Sequence, residues 1–358
     1  MYIKKIETHS IRNLSNQSVA LYPGINLLIG PNGSGKTSFL EAVNLASLGR
    51  SFRTHLLRRV VSHGADKLAV YLECGAGDQF SSVGFEKTRL GESRLKVDGN
   101  FAENQAQVAK LIPLQLINNN TFQLLTAGPK YRREFIDWGL FHVEHSFFST
   151  WKQYREVLTQ RNAALRSRAS AEVIRAWDKQ LITIAGEYDL FRKRYIETYA
   201  QLVLDVFQKL MPEETITLDY YPGWDQKEGY EAVLRASFPR DCAQGYTQYG
   251  PHRADLLITR DKTPIQDILS RGQQKLLIIS MALAQGEALL SKNKKTCVYM
   301  IDDLPSELDN LALNKAMAFF VKQSQQIILT SIDSEPFNRE FVENAKMFHV
   351  EHGRITPV

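Results

Sequence analysis

Gly30-Pro31-Asn32-Gly33-Ser34-Gly35-Lys36-Thr37 is the stretch that leaves this chain the fewest ways to fold. It follows an apolar run, Ile25-Asn26-Leu27-Leu28-Ile29, and opens a helical pattern in which Phe39, Leu40, Val43, Ala46 and Ser47 share one face. The expected context is strand, loop, helix, as a phosphate-binding loop requires. Glycines at 30, 33 and 35 let the backbone bend so that successive N–H groups point inward at an anion, and the helix N-terminus adds partial positive charge. On this reading Gly30, Pro31, Asn32, Gly33, Ser34 and Gly35 form the cradle. Lys36 reaches the β- and γ-phosphates, and the Thr37 hydroxyl ligates Mg²⁺, so the expected ligand is ATP with Mg²⁺.

Such a site needs an acidic residue at the end of a second buried strand to hold the metal, and a group that positions the attacking water. Thr296-Cys297-Val298-Tyr299-Met300-Ile301-Asp302-Asp303 supplies both: an apolar run ending in two carboxylates. A continuously apolar strand fits the centre of a sheet covered on both faces, and its C-terminal end is where open α/β sheets place ligands. Asp302 is therefore assigned to the metal and Asp303 to water activation. Just upstream, Leu269-Ser270-Arg271-Gly272-Gln273-Gln274-Lys275 leads into a helix running to Leu290. Ser-x-Gly-Gln at a helix start offers a hydroxyl and free N–H groups, a second anion-binding end.

The distance between the two halves of the site sets the organisation. Gly30 and Asp302 stand 272 positions apart in a chain of 358, too far for one compact sheet unless something is inserted between them. Residues 130–211 carry almost no glycine or proline and show helical spacing through Phe135, Trp138, Phe141, Trp151, Tyr154, Leu158 and Leu165. A long helix is expected over Ile174–Leu210. The expectation is an α/β ATPase lobe of residues 1–128 and 246–358, with an inserted, mainly helical lobe of residues 129–245. Strands are expected over 2–11, 18–29, Leu68–Cys74, Ser82–Lys87, Arg94–Val97 and Leu114–Ile117. No apolar run approaches the roughly 18 residues of a membrane span, and Met1 leads straight into a strand-like segment, so neither span nor signal peptide is expected. Three scattered cysteines suit a reducing cytoplasm.

With the loop, the Ser-x-Gly-Gln, the paired acids and Ser306-Glu307-Leu308-Asp309 in this order, the chain resembles an SMC-related ABC ATPase head. Gly128-Pro129-Lys130-Tyr131-Arg132-Arg133, Tyr249-Gly250-Pro251-His252-Arg253-Ala254-Asp255, and Leu269-Ser270-Arg271-Gly272-Gln273 followed by Ala282-Leu283-Ala284-Gln285-Gly286-Glu287 narrow the resemblance to the bacterial RecF family, and Ile11-Arg12-Asn13-Leu14 stands after the first strand as in RecF-like and SMC-like heads. That resemblance implies an ABC-type P-loop head and an ATP-dependent DNA-binding protein of recombination, replication and repair, working in the SOS response to DNA damage. It implies a homodimer formed around ATP on duplex, gapped or single-stranded DNA, with RecO and RecR as partners and RecA loading as the output. It adds Arg12 and Asn13 to the nucleotide site. Ser270, Gly272 and Gln273 become the signature that closes on the ATP of a second copy, and Ser306–Asp309 the D-loop. Asn118 takes the Q-loop position. An ABC transporter would place glutamate where Asp303 stands and a histidine near Thr330 or Ser331, so both positions depart from the transporter pattern.

Two alternatives are an SMC-like chromosome-associated ATPase and the nucleotide-binding subunit of an ABC transporter. The first needs a long heptad coiled coil, for which the insertion is too short and too aromatic. The second needs a membrane partner, and nothing in the chain names one. Lys and Arg number 44 against 39 Asp and Glu, a net charge of +5 that permits nucleic-acid binding. Arg50, Arg53, Arg58 and Arg59 after the loop helix, and Lys130, Arg132 and Arg133, are the candidate phosphate contacts. Arg192-Lys193-Arg194 reads as a solvated helix face, and His142 and His145 as surface residues rather than metal ligands.

Overall fold

The computed structural model describes every residue except Asp78 and Gln323. It resolves into two compact units, Met1–Thr121 with Arg271–Val358, and Phe122–Ser270. The first unit begins with β1 (Tyr2–His9), β2 (Gln17–Ala20), β3 (Ile25–Ile29), α1 (Lys36–Leu48), β4 (Lys67–Ala76), β5 (Gln79–Thr88), β6 (Ser93–Val97), β7 (Asn100–Phe101), α2 (Gln105–Leu111) and β8 (Leu114–Ile117). The second unit follows with α3 (Gln123–Thr126), α4 (Pro129–Val143), α5 (Phe147–Arg166), α6 (Ala171–Leu210), β9 (Thr217–Tyr221), α7 (Tyr230–Gln244), β10 (Asp255–Arg260) and β11 (Thr263–Pro264). The first unit then resumes with α8 (Arg271–Asn293), β12 (Val298–Ile301), α9 (Asn310–Val321), β13 (Ile327–Ser331), α10 (Arg339–Glu343), β14 (Ala345–Glu351) and β15 (Arg354–Pro357).

Two six-stranded sheets build the first unit. One has the order β2-β1-β4-β5-β6-β7 and is antiparallel. The other has the order β15-β14-β3-β13-β12-β8 and is parallel except for β15. Strands β12 and β13 are buried along their whole length, as sequences apolar on both faces require. Helix α1 is buried nearly all round, and Phe39, Leu40 and Val43 share one core with Ile6 and Leu72 of the antiparallel sheet and Leu28 and Ile328 of the parallel one. That helix fills the space between the sheets, which explains why its sequence lacks the polar face of a surface helix.

Several expectations change here. Residues 18–29 form two strands in different sheets, because Pro23-Gly24 removes a donor and turns the chain between β2 and β3. The insertion is wider than 129–245: residues 246–270 belong with it, because β10 pairs with β9 and β11 in a three-stranded sheet of the second unit. Arg192 is not on a solvated face. It is 2% exposed and donates to both carboxylate oxygens of Asp137, to Tyr188 Oη and to the Pro251 carbonyl. Burial alone would lower its pKa, but Asp137 outweighs that and raises it. His142 is buried against Trp138, ring centroids 4.3 Å apart, while His145 is exposed. Arg132 makes a two-pronged pair with Asp255 and Arg133 donates to the Ala254 carbonyl, so both are committed inside the second unit. No helix among the described residues is long and apolar enough to cross a membrane.

Candidate nucleotide-binding site

Because β3, β13 and β12 are parallel neighbours, the segments after their C-terminal ends meet at one edge of the sheet. Gly30–Thr37 follows β3, Ser331 closes β13, and Asp302-Asp303 follows β12. Gly35 precedes α1 at φ 121°, a conformation open to glycine and costly for other residues. A Cβ on Gly30 would lie 2.1 Å from the Val350 carbonyl oxygen, so β14 can approach the loop only where no side chain stands. Gly353, in the turn between β14 and β15, donates its N–H to the Ser34 carbonyl at 2.7 Å. The loop is therefore held from outside by the last hairpin.

Lys36 is buried, and its ammonium donates to the carbonyls of Gly30 (2.6 Å) and Pro31 (3.0 Å). Burial lowers its pKa, and Asp303 and Asp302 oppose that shift. The Thr37 hydroxyl donates to Asp302 Oδ1 at 3.1 Å, and the Thr330 hydroxyl donates to the same oxygen at 2.8 Å. Burial raises the Asp302 pKa, and these two hydroxyls, Thr330 first, pull it back. Asp303 has φ 53° and donates its N–H to Thr330 Oγ1. A non-glycine residue there is strained, and such strain gathers at functional sites. Lys36, Thr37, Asp302 and Asp303 line one cavity of about 390 Å³ with Asn32, Gly33 and Gly35.

Arg12 and Asn13 line the same cavity. Asn13 donates to the Gly33 carbonyl (2.8 Å) and accepts from the Ser38 hydroxyl (2.9 Å), tying the loop to the first turn of α1. Arg12 makes a two-pronged pair with Glu41, both contacts 2.8 Å, which raises the guanidinium pKa. Glu41 is fully buried and is also reached by Ser51 Oγ and, at 3.5 Å, by Arg53. Arg53, read from sequence as a candidate DNA contact, lines the nucleotide cavity instead. Gly272 and Gln273 do not line it and lie in the first turn of α8, while Ser270 closes the second unit. A Cβ on Gly272 would be 3.8 Å from Asp309 Oδ2. Asn118 follows β8, buried, and its carbonyl accepts from Lys275 Nζ at 3.0 Å.

Three features of the site lie outside its sequence motifs. Glu41 is a lone acid in the apolar stretch Phe39–Ala46, and a buried acid in such a place needs a basic partner. Lys275, 1% exposed, forms an ion pair with Glu307 and so joins α8 to the Ser306–Asp309 segment. Gly353 sits in Glu351-His352-Gly353-Arg354, a tight-turn pattern whose link to the loop no local signal reveals.

The comparisons with known proteins agree with this architecture. A family model described as the RecF/RecN/SMC N-terminal domain matches residues 2–356. The DNA replication and repair protein RecF of Citrobacter koseri is 41% identical over 357 residues, 99% of this chain and 100% of that one. That of Erwinia tasmaniensis is 40% identical over 355 residues, 99% of this chain and 98% of that one. Among solved structures, one described as the recombination mediator protein RecF-ATPrS in the RecFOR pathway superposes with a TM-score of 0.87 at 22% identity, covering 100% of this chain and 98% of that one. An Smc head bound to the C-winged helix domain of ScpA gives 0.64 at 16% identity, covering 100% and 97%. The fold is that of an ABC-type ATPase head with a large insertion, and by the family model and the relatives' identity the chain belongs to the RecF family.

Proposed function

We propose that this protein is an ATP-dependent DNA-binding protein of recombinational repair and replication-fork maintenance. In this reading two copies of the chain, each holding ATP and Mg²⁺, come together on gapped or duplex DNA in the cytoplasm, and with RecO and RecR the dimer promotes RecA loading. The observation that carries its dependence on ATP is the Thr37 hydroxyl 3.1 Å from Asp302, beside the buried Lys36 ammonium. The residues fit the ligand. Ser34 Oγ is buried with no hydrogen-bond partner among the described residues, and Lys36 is held by neutral carbonyls, weaker acceptors than an anionic phosphate oxygen.

Bound ATP supplies the scissile phosphoanhydride, and Mg²⁺ supplies charge to neutralise its oxygens. Asn32, Gly33, Gly35 and the first turn of α1 would present backbone N–H groups to the phosphates, since Pro31 has none and those of Gly30 and Ser34 already donate to the Ile332 and Pro31 carbonyls; Lys36 adds a positive charge, and Thr37 with Asp302 would hold the metal. Asn13 braces the loop through the Gly33 carbonyl, and Arg12 lines the same cavity. Asp303 positions a water and accepts its proton. Ser270, Gly272 and Gln273 close over the nucleotide of a second copy. Aspartate is one methylene shorter than glutamate, and a misplacement near 1 Å costs about a hundredfold in rate. The protein is then a weak, DNA-stimulated ATPase that uses the nucleotide as a switch, with steady-state turnover well below the ~10 s⁻¹ enzyme median. A phosphate-release assay checks this.

The repair and replication role is supported by the relatives' names and by the match along nearly the whole chain. A DNA-binding titration with ATP, ADP and no nucleotide, on duplex, gapped and single-stranded DNA, tests the reading. ATP-dependent binding is expected, and its absence on every DNA shape would overturn it.

A further inference from the structure

A second cavity of the first unit, about 420 Å³, is lined by Arg12, Arg58, Arg59, His63 and Arg89, with Val61 and Ser62. No carboxylate is among its described lining residues. The basic groups come from three separate segments: the turn after β1, the 3₁₀ turn Leu57–Arg59 with the residues after it, and the turn between β5 and β6. Arg12 is compensated by its pair with Glu41, but the guanidinium groups of Arg58, Arg59 and Arg89 repel one another, so the arrangement persists only if the backbone holds it.

It does. Arg12 N donates to the Val60 carbonyl and Ser62 N to the Ser10 carbonyl, both at 2.8 Å, and Ile11 bridges Val61. The Ser62 hydroxyl donates to the Arg12 carbonyl at 2.8 Å. Arg12 Nη1 donates to the Arg59 carbonyl at 3.0 Å. From the third segment, Arg89 N donates to the Asp66 carbonyl, and its guanidinium donates to the carbonyls of Ser62, at 2.6 Å, and Ala65. Carbonyls fix the position of the Arg89 guanidinium without cancelling its charge. The side chains of Arg58, Arg59, His63 and Arg89 are exposed.

A rigid concavity of this charge, open to solvent, suits a polymer that carries regularly spaced phosphates. We infer that Arg58, Arg59 and Arg89 contact the sugar–phosphate backbone of duplex DNA, in a cleft that shares Arg12 with the nucleotide site. The inference rests on the DNA-binding reading above and adds the surface that does it. The contacts are to phosphates, so they give affinity and salt dependence without sequence preference.

The test is a titration of ATP-bound full-length protein with duplex DNA over several salt concentrations. Each phosphate neutralised contributes about 0.9 to the slope of log K against log salt, so R58A/R59A lowers that slope by about 1.8. ATP affinity stays at the wild-type value, which shows that the variant is folded, and R58K/R59K restores the slope. K193A/R194A removes the same charge from exposed positions of α6 and leaves the slope unchanged. An unchanged slope in R58A/R59A, or an equal fall in K193A/R194A, overturns the assignment while the DNA-binding reading stands. Wild-type protein that binds no duplex at any salt concentration overturns both.

Discussion

His252 offers a quantitative test of how the second unit is built. Its ring is fixed between two partners: Nδ1 lies 2.7 Å from Tyr154 Oη and Nε2 lies 3.0 Å from the Thr247 carbonyl. A carbonyl can only accept, so Nε2 carries the proton and Nδ1 accepts from the tyrosine, which leaves a neutral imidazole with both nitrogens used. Burial lowers the pKa from 6.5 to about 4. Between those values the unfolded chain takes up a proton that the folded chain refuses. The unfolded state then binds more protons, so stability falls as the pH falls. The linkage is worth only about 0.2 kcal/mol at pH 7 and grows to about 3 kcal/mol at pH 4. Asp189 and Asp241, whose pKa values burial raises, run the opposite way, so the His252 share must be isolated by difference. His252→Gln keeps an acceptor for Tyr154 and a donor for Thr247 and does not titrate. All four tryptophans, at 138, 151, 177 and 224, lie in the second unit, so their fluorescence during urea unfolding reports on that unit. From pH 7 to pH 4 the wild-type midpoint should fall further than that of His252→Gln by about 1–3 M urea, taking about 3 kcal/mol and usual denaturant slopes. Parallel curves for the two proteins would refute the reasoning.

Three further outcomes are expected. Gly30→Ala drives a methyl group into the Val350 carbonyl, so the loop and β14 must separate; nucleotide binding, measured by calorimetry, drops at least tenfold while circular dichroism is retained. Lys36→Ala abolishes ATP binding, whereas Ser270→Ala spares it and loses ATP-dependent dimerisation; an unchanged dimer by light scattering would count against closure by a second copy. Arg192→Ala leaves Asp137 without its buried partner and costs about 3–5 kcal/mol in urea unfolding followed by tryptophan fluorescence.

The loop, the strand ahead of Asp302 and the long helix α6 were legible because each carries a local signal: glycine spacing, a continuous apolar run, and three- and four-residue aromatic repeats. The strand over Leu114–Ile117 was legible for the same reason and appears with those bounds. The end of the insertion was not. Strand β10 looks like part of the ATPase lobe, and only its pairing with β9, some forty residues earlier in sequence, assigns it to the second unit. Arg192 misled for a related reason. A basic triplet on a helix reads as solvent-facing until Asp137, on another helix, supplies the partner. In the site, Thr37 and Asp302 could be paired from sequence because each belongs to a known kind of motif. Glu41, Thr330 and Gly353 act through neighbours that only the sheet order brings close.

The place of β3 in the parallel sheet also bears on synthesis. Its two neighbours, β13 and β14, are encoded about 300 residues after it. At about 5–20 residues per second, the apolar strand before the loop leaves the ribosome about 15–60 s ahead of either partner. Throughout that interval Ile25–Ile29 has two unpaired edges, a liability for a nascent chain, and no anion cradle can close beside it. Competence to hold a nucleotide therefore arrives late, when the final hairpin settles against Ser34. A ribosome stalled anywhere before β13 carries a chain in which the most recognisable stretch of the protein does not yet work.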